Sequence, residues 1–154
     1  MRRQLREAEL DEYFGARAVT LRRTAYLVVR DWHTAEDMVQ ATFVKLYLHW
    51  PSIRRETVDA YARRVLVNEC LSHLRRNRRE TVTDQVPEAA APSSESRLDL
   101  TAALAVLPPS QRAVVALRFL EDLSVAETAA AMGVAPSGAT PRAPSTRSVV
   151  TCPT

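Results

Sequence analysis

The chain has 154 residues, enough for one ordinary domain or two small ones. A hydrophobic content of 46% and a charged content of 25% exclude a disordered or membrane-embedded protein and are typical of a globular one. Only three glycines and 6% aromatic residues are present, while Ala, Leu, Arg and Glu are abundant. This composition disfavours β-structure and predicts an all-α fold.

The basic residues differ in kind from those of an average protein. The net charge is a modest +3, but of the 21 basic residues only Lys45 is a lysine. Arginine carries a rigid fork of donors that suits phosphates and base edges, which favours a nucleic-acid partner. A G+C-rich genome would produce the same ratio, although it does not explain why the arginines cluster.

The first half of the chain shows three helical patterns. Apolar residues recur at helical spacing in the first, and Thr34 is predicted to be the N-cap of the second, which Pro51 ends. The third ends in an arginine cluster at residues 75–79. The predicted helices cover residues 8–30, 34–50 and 58–76, with a connector at 51–57.

The second half begins after a linker, predicted at residues 80–97 because prolines, alanines and serines there cannot bury enough apolar surface. Short helices are predicted at 98–107 and 110–120, separated by Pro108-Pro109. A turn leads to Ser124-Val125-Ala126-Glu127, a capping box that opens a helix ending at Gly133. This order is typical of the front half of a helix-turn-helix.

The tail, residues 135–154, contains four prolines and no acidic residue. Each of Pro136, Pro141 and Pro144 would cost about 3 kcal/mol inside a helix, so we expect this segment to be disordered. A frameshift near residues 135–140 is one hypothesis for its character.

No residue pattern of an enzyme is present. The three histidines, His33, His49 and His73, have no partner at ligand spacing, and no glycine-rich phosphate loop exists. Cys70 and Cys152 fit no metal or redox spacing, and Cys70 is predicted to be a buried apolar residue. We therefore expect a protein that is not an enzyme and has no metal or cofactor. The charged N-terminus and the lack of a long apolar stretch predict a cytoplasmic protein with no membrane partner.

Residues 31–43 read DWHTAEDMVQATF, and residues 62–69 read ARRVLVNE. Together with residues 107–115 and 123–129, these four segments resemble extracytoplasmic-function (ECF) sigma factors of the sigma-70 family. Residues 31–43 resemble the signature of sigma region 2. Residues 62–69, ARRVLVNE, with the arginines that follow, resemble the segment that melts and reads the −10 promoter element. Residues 107–115 and 123–129 resemble region 4. The resemblance covers roughly residues 8–134, with the motifs in the expected order.

The resemblance implies a role for specific residues. Asp37 and Gln40, with Phe43 in support, would bind the β′ coiled coil of core RNA polymerase. Asn68 would lie beside a pocket for a flipped −10 base, with the loop 51–57 forming that pocket. Five arginines would hold the phosphate backbone of the promoter DNA strand: Arg63, Arg75, Arg76, Arg78 and Arg79.

The implied organisation is two small helical domains. Region 2 would span residues 8–79, the linker 80–97, an incomplete region 4 residues 98–134, and the disordered tail 135–154. The expected function is transcription initiation with impaired −35 recognition, with core polymerase, promoter DNA and an anti-sigma factor as partners. Two alternatives are a two-domain helical DNA-binding regulator and a decoy that binds an anti-sigma partner.

Overall fold

The computed structural model describes residues 1–80 and 102–134. Within these two ranges the regular structure is helical and contains no strand, which confirms the predicted all-α class. The helices longer than one turn are α1 (Arg2–Val29), α2 (Trp32–His49), α3 (Val58–Glu80), α4 (Pro109–Phe119) and α5 (Val125–Met132).

The junction between α1 and α2 differs from its prediction. Helix α1 starts six residues earlier than expected and ends at Val29, and its C-cap residue Arg30 has a left-handed φ of 63°. The N-cap of α2 is Asp31 rather than Thr34: its carboxylate accepts from the Thr34 backbone N–H at 2.8 Å and from the Thr34 hydroxyl at 2.7 Å. A carboxylate accepts two bonds more readily than a hydroxyl does, so Thr34 serves as the donor. These bonds lower the pKa of Asp31.

The connector after α2 is short and partly helical. Two single 3₁₀ turns, Trp50–Ser52 and Arg55–Thr57, lead directly into α3. Helix α3 continues to Glu80, beyond the predicted end at residue 76. The arginine cluster 75–79 therefore lies on a helix and has a defined face.

Helices α1, α2 and α3 pack around one apolar core. Leu21, Leu46 and Leu66, one from each helix, are fully buried at its centre. Cys70 is buried as predicted, and burial raises the pKa of its thiol to about 12. We call these three helices with their connectors the first unit.

The second unit, residues 102–134, matches its predicted pattern. Residues 102–105 are helical, and α4 begins with Pro109 in its first turn. Ser124 and Glu127 form the predicted capping box, and Gly133 ends α5 at a φ of 69°. The predicted linker beyond residue 80, the first residues of the short helix and the tail 135–154 lie outside the described residues.

The two units share a core. Ala113 and Leu117 of α4 belong to the same buried apolar cluster as Leu21 and Val28 of α1. The second unit thus lies against α1 and α3. Among the described residues, no helix combines the length and the apolar character needed to cross a membrane.

Candidate polymerase and nucleic-acid interface

The exposed face of α2 carries two of the predicted polymerase-binding residues. Asp37 and Gln40 are exposed and lie one helical turn apart, so they share a face. Phe43, one further turn along, is buried and packs edge-on against Phe14 of α1, with ring centroids 4.5 Å apart. Phe43 therefore supports the α2 face from beneath and takes no part in its exposed surface.

A shallow groove of about 310 Å³ adjoins Gln40, between α1 and α2. Its apolar lining includes Phe14 and Val19, whose exposed fractions are 45% and 50%. Arg22 and Glu36 pair across it at 3.3 Å. The helical spacing of apolar residues in α1 did not predict this exposed apolar surface, because the period of a helix does not show which of its residues a neighbouring helix leaves uncovered.

Helix α3 presents an exposed stripe of polar and basic side chains. Asn68 is exposed. Arg75 and Arg79 lie 7 and 11 residues further on and so share its face. Arg76 and Arg78 are also exposed, on the flanks of this stripe. The structure thus places four of the five predicted arginines where a nucleic-acid strand could reach them.

Arg64 belongs to the same stripe and was missed by the sequence reasoning. It precedes Asn68 by one i to i+4 step and is exposed. The spacing itself was the signal, since Arg64, Asn68, Arg75 and Arg79 follow each other at intervals of four, seven and four residues.

Arg63 is not brought together with this stripe. It lies about 100° further around α3 than Arg64, and its side chain is only 16% exposed. Its Nε atom is 2.9 Å from Oε2 of Glu121, in the turn between α4 and α5. Arg63 was predicted to contact the DNA strand, but in this structure the second unit covers its side chain.

The loop 51–57 is tied to the start of α1. Glu9 accepts a hydrogen bond from Trp50 Nε1 at 3.1 Å and pairs with Arg55, whose guanidinium lies 5.6 Å from the Trp50 ring centroid. A groove of about 340 Å³ separates the two elements, and Arg2 and Arg6 line its α1 side. Neither arginine was among the predicted residues, because nothing local in the sequence brings the N-terminus to this loop.

The exposed charges and the grooves of this arrangement suit the binding of a partner. Within residues 1–80 and 102–134, no three His, Cys, Asp or Glu side chains are grouped to hold a metal ion.

Comparison with known proteins gives the family. Residues 15–80 match the model for Sigma-70 region 2, and residues 97–139 match that for Sigma-70, region 4. The RNA polymerase sigma-E factor of Streptomyces avermitilis is 39% identical over 132 residues, covering 82% of this chain and 74% of that protein. The factor of the same name from Streptomyces coelicolor is 38% identical over 132 residues, covering 82% and 75%.

A more distant relative carries the subgroup in its name. The ECF RNA polymerase sigma factor SigE of Mycolicibacterium smegmatis is 35% identical over 137 residues, covering 80% of this chain and 53% of that protein. No solved structure matches the chain with comparable significance. These matches define a transcription initiation factor. The chain belongs to the sigma-70 family of RNA polymerase sigma factors, in its ECF group.

Proposed function

We propose that the first unit binds core RNA polymerase through α2 and the −10 promoter strand through α3. The observation that carries the proposal is the presence of two separate exposed faces on one packed three-helix unit. One face has a carboxylate, an amide and an apolar groove, and the other has an amide within a row of arginines. Since polymerase and promoter DNA are its partners, we expect this non-enzymatic factor to act in the cytoplasm.

The α2 face fits a protein partner better than a nucleic acid. Asp37 would repel phosphates, whereas Phe14 and Val19 offer apolar surface of the kind that protein interfaces bury. A basic helical segment that also carries an apolar residue would complement both the carboxylate and the apolar surface. The β′ coiled coil of polymerase is the partner that the family implies. An anti-sigma factor that competes for the same groove is a further partner that we propose.

The α3 face fits a single DNA strand. Arg64, Arg75 and Arg79 run along the helix as phosphate contacts do, positioning a strand without reading its sequence. Asn68 lies among them with both a donor and an acceptor for a base edge. Capturing an extruded base offsets the few kcal/mol that unstacking costs, so strand binding itself opens the duplex.

The pocket for that base is proposed at the loop 51–57, beside the groove lined by Arg2 and Arg6. These two cations would attract the phosphates next to the flipped nucleotide. The tie between Glu9, Trp50 and Arg55 holds the loop in place before DNA arrives, which reduces the entropy lost on binding.

Recognition of a −35 element is proposed to be impaired. The last described helix, α5, corresponds to the supporting half of a helix-turn-helix, and the segment that follows contains Pro136, Pro141 and Pro144. A helix that enters the major groove is difficult to form through these three prolines.

Run-off transcription with core polymerase tests these assignments together. We expect Asp37→Arg to abolish promoter-dependent transcripts and to weaken polymerase binding by roughly 30-fold, the effect of losing an interface hot spot of about 2 kcal/mol. Glu12→Arg, an equal charge change at an exposed position of α1, should leave both unchanged. Templates with and without a −35 element should give equal yields.

Two results would contradict the proposal. Equal polymerase binding by the Asp37→Arg and Glu12→Arg variants would remove α2 as the binding face and favour a DNA-binding regulator that does not use polymerase through this surface. Strong dependence on the −35 element would overturn the proposed impairment. Retained polymerase binding without any transcript would instead favour the decoy.

A further inference from the structure

The first two turns of α1, residues 2–9, form one wall of the groove beside the loop 51–57. Six of its lining side chains come from these two elements: Arg2, Leu5 and Arg6 from α1, and Pro51, Ile53 and Arg55 from the loop. The two turns precede residue 15, where the match to Sigma-70 region 2 begins, so the family assigns them no role. The chemistry of the groove itself must therefore indicate what it binds.

The α1 wall of the groove carries two cations without an acidic partner. Arg2 is exposed and Arg6 partly exposed, and no other described residue forms an ion pair with either. Arg3, in the same two turns, differs from them because it pairs with Glu7 at 3.0 Å and does not line the groove. An unpaired guanidinium favours an anion, and a phosphate can accept two of its N–H groups at once.

The loop wall of the groove carries a planar platform. Arg55 pairs with Glu9, and its guanidinium lies 5.6 Å from the ring centroid of Trp50. Trp50 is itself fixed, since it is buried and its indole N–H donates to Glu9 at 3.1 Å. The Arg55 side chain nevertheless remains 61% exposed. Two partners thus hold the guanidinium in place while much of its surface stays open to solvent.

A nucleotide is the ligand that matches both walls of the groove. Unstacked bases bind on guanidinium planes as well as on aromatic rings, and Arg55 offers such a plane. Leu5, which is 60% exposed, and Ile53 on the loop supply apolar contact for the base. The phosphates on either side of that base would reach Arg2 and Arg6. An acidic peptide would satisfy the two cations but would leave the Arg55 plane unused.

The groove is continuous with the α3 face. The 3₁₀ turn Arg55–Thr57 runs directly into α3, which begins at Val58. Arg64 and Asn68 lie 6 and 10 residues beyond that start, or about 9 and 15 Å along the helix axis. A few nucleotides can span this length, since each advances a strand by about 3.4 Å or more. A strand on α3 therefore reaches the groove without leaving the protein surface.

We propose that the groove between α1 and the loop is a second nucleotide subsite for the promoter strand, in which a base stacks on Arg55 and its flanking phosphates bind Arg2 and Arg6. This inference rests on the proposed binding of the −10 strand by α3 and the loop, and it extends that strand past the flipped base. Since every base has a π-face, stacking tolerates any sequence, so the subsite contributes affinity and not sequence preference.

Arg55→Lys tests the stacked base. Lysine keeps the positive charge and the pairing with Glu9, but it has no plane on which a base can stack. Fluorescence anisotropy with the full chain and random-sequence single-stranded DNA should show binding weakened by about tenfold, with the same slope of log affinity against log salt. An abasic strand of equal length, which keeps the phosphodiesters and lacks the bases, should bind the wild type and Arg55→Lys equally.

The double variant Arg2→Ala, Arg6→Ala tests the phosphate contacts. It should reduce the salt slope by about 1.5 to 2 units on both kinds of strand, since each lost contact contributes roughly 0.7 to 1. Arg3→Ala removes a charge from the same two turns outside the groove, and should leave the slope unchanged. Asn68→Ala, measured in parallel, reports on the α3 face alone.

The outcomes separate the subsite from the proposed function. If Arg55→Lys bound base-bearing DNA as tightly as the wild type, the groove would be a site for any anion, an acidic peptide included, and the inference would be overturned. A loss of slope in Arg3→Ala would overturn it as well. If Asn68→Ala changed nothing while the groove variants lost affinity, the role of α3 would fail and the subsite would stand. Losses at both places support both.

Discussion

The two units of this sigma factor are built from helices of different length. The first has helices of 28, 18 and 23 residues, which pack on one another, whereas the second has helices of 11 and 8 residues, which pack largely on α1 and α3. Isolated helices shorter than about 12 residues are marginal in water, so short helices depend on tertiary contacts. The second unit therefore owes its order to the first.

The candidate binding residues follow the same division. In the first unit Asp37, Asn68 and the stripe arginines are exposed. In the second unit, the charged residues with long-range contacts, Glu121 and Arg112, face the first unit. We therefore expect the binding faces of the first unit to work without direct contacts from the described part of the second.

The largest test of this dependence uses equivalent core truncations. Leu66 in α3 and Leu117 in α4 are both fully buried. We expect Leu66→Ala to lower the free energy of unfolding of the whole chain by about 2–5 kcal/mol, because it leaves a cavity in the core on which both units rest. Leu117→Ala should detach the second unit and destabilise the first by less than Leu66→Ala does, because only the α1 side chains that α4 covers, such as Leu21 and Val28, become exposed. Circular dichroism and amide hydrogen exchange follow both effects.

This comparison has a clear opposite outcome. If Leu117→Ala lowered the protection of core amides in α2 as much as Leu66→Ala does, the units would unfold as one body and the asymmetry would be wrong. Leu48→Ala, at an exposed position of α2, provides a size-matched truncation that should change little.

A smaller effect is expected on DNA binding at the far end of α3. Arg79→Ala should reduce the slope of log affinity against log salt by about one unit for single-stranded DNA, since one phosphate contact is lost.

Arg23→Ala is the matched control for this change. It removes the same charge from an exposed position of α1, away from the stripe, and should leave the salt slope unaltered. Equal slopes for Arg79→Ala and the wild type would show that the strand does not follow the stripe.

The sequence predicted the helices because their signals are local. Periodic apolar residues, the capping box at Ser124 and the glycine at 133 each act within a few residues, and their positions agree with the structure. The cap of α2 was assigned wrongly because Asp31 and Thr34 are both good N-cap residues, and only their geometry decides which one accepts. Where two neighbouring residues can both serve as the cap, the sequence predicts that a helix exists more reliably than it predicts where the helix begins.

The candidate site was predictable only where it lies on one helix. Asp37 with Gln40, and Asn68 with Arg75 and Arg79, are related by helical spacing alone. The contact of Arg63 with Glu121 joins residues 58 positions apart and depends on how the units dock. Helical periodicity does not predict a contact of this kind. The sequence therefore predicted that Arg63 binds the DNA strand, whereas the structure shows it paired with Glu121.

The smallest expected effect concerns the acidic caps of the two units. Bonds from the backbone N–H and the side chain of Ser124 lower the pKa of Glu127 in α5, as Thr34 lowers that of Asp31 in α2. A lowered pKa means that the stabilisation is present above the ordinary carboxyl value of 4.5 for Glu127 and is lost as pH falls through the lowered pKa.

We expect Glu127→Gln to weaken amide protection in α5 at pH 7 and to converge with the wild type on acidification. Because α2 is long and packed in the first unit, Asp31→Asn should leave its central amides protected at every pH tested. Equal loss of protection in the two helices would mean that the second unit is no more dependent on its cap than the first.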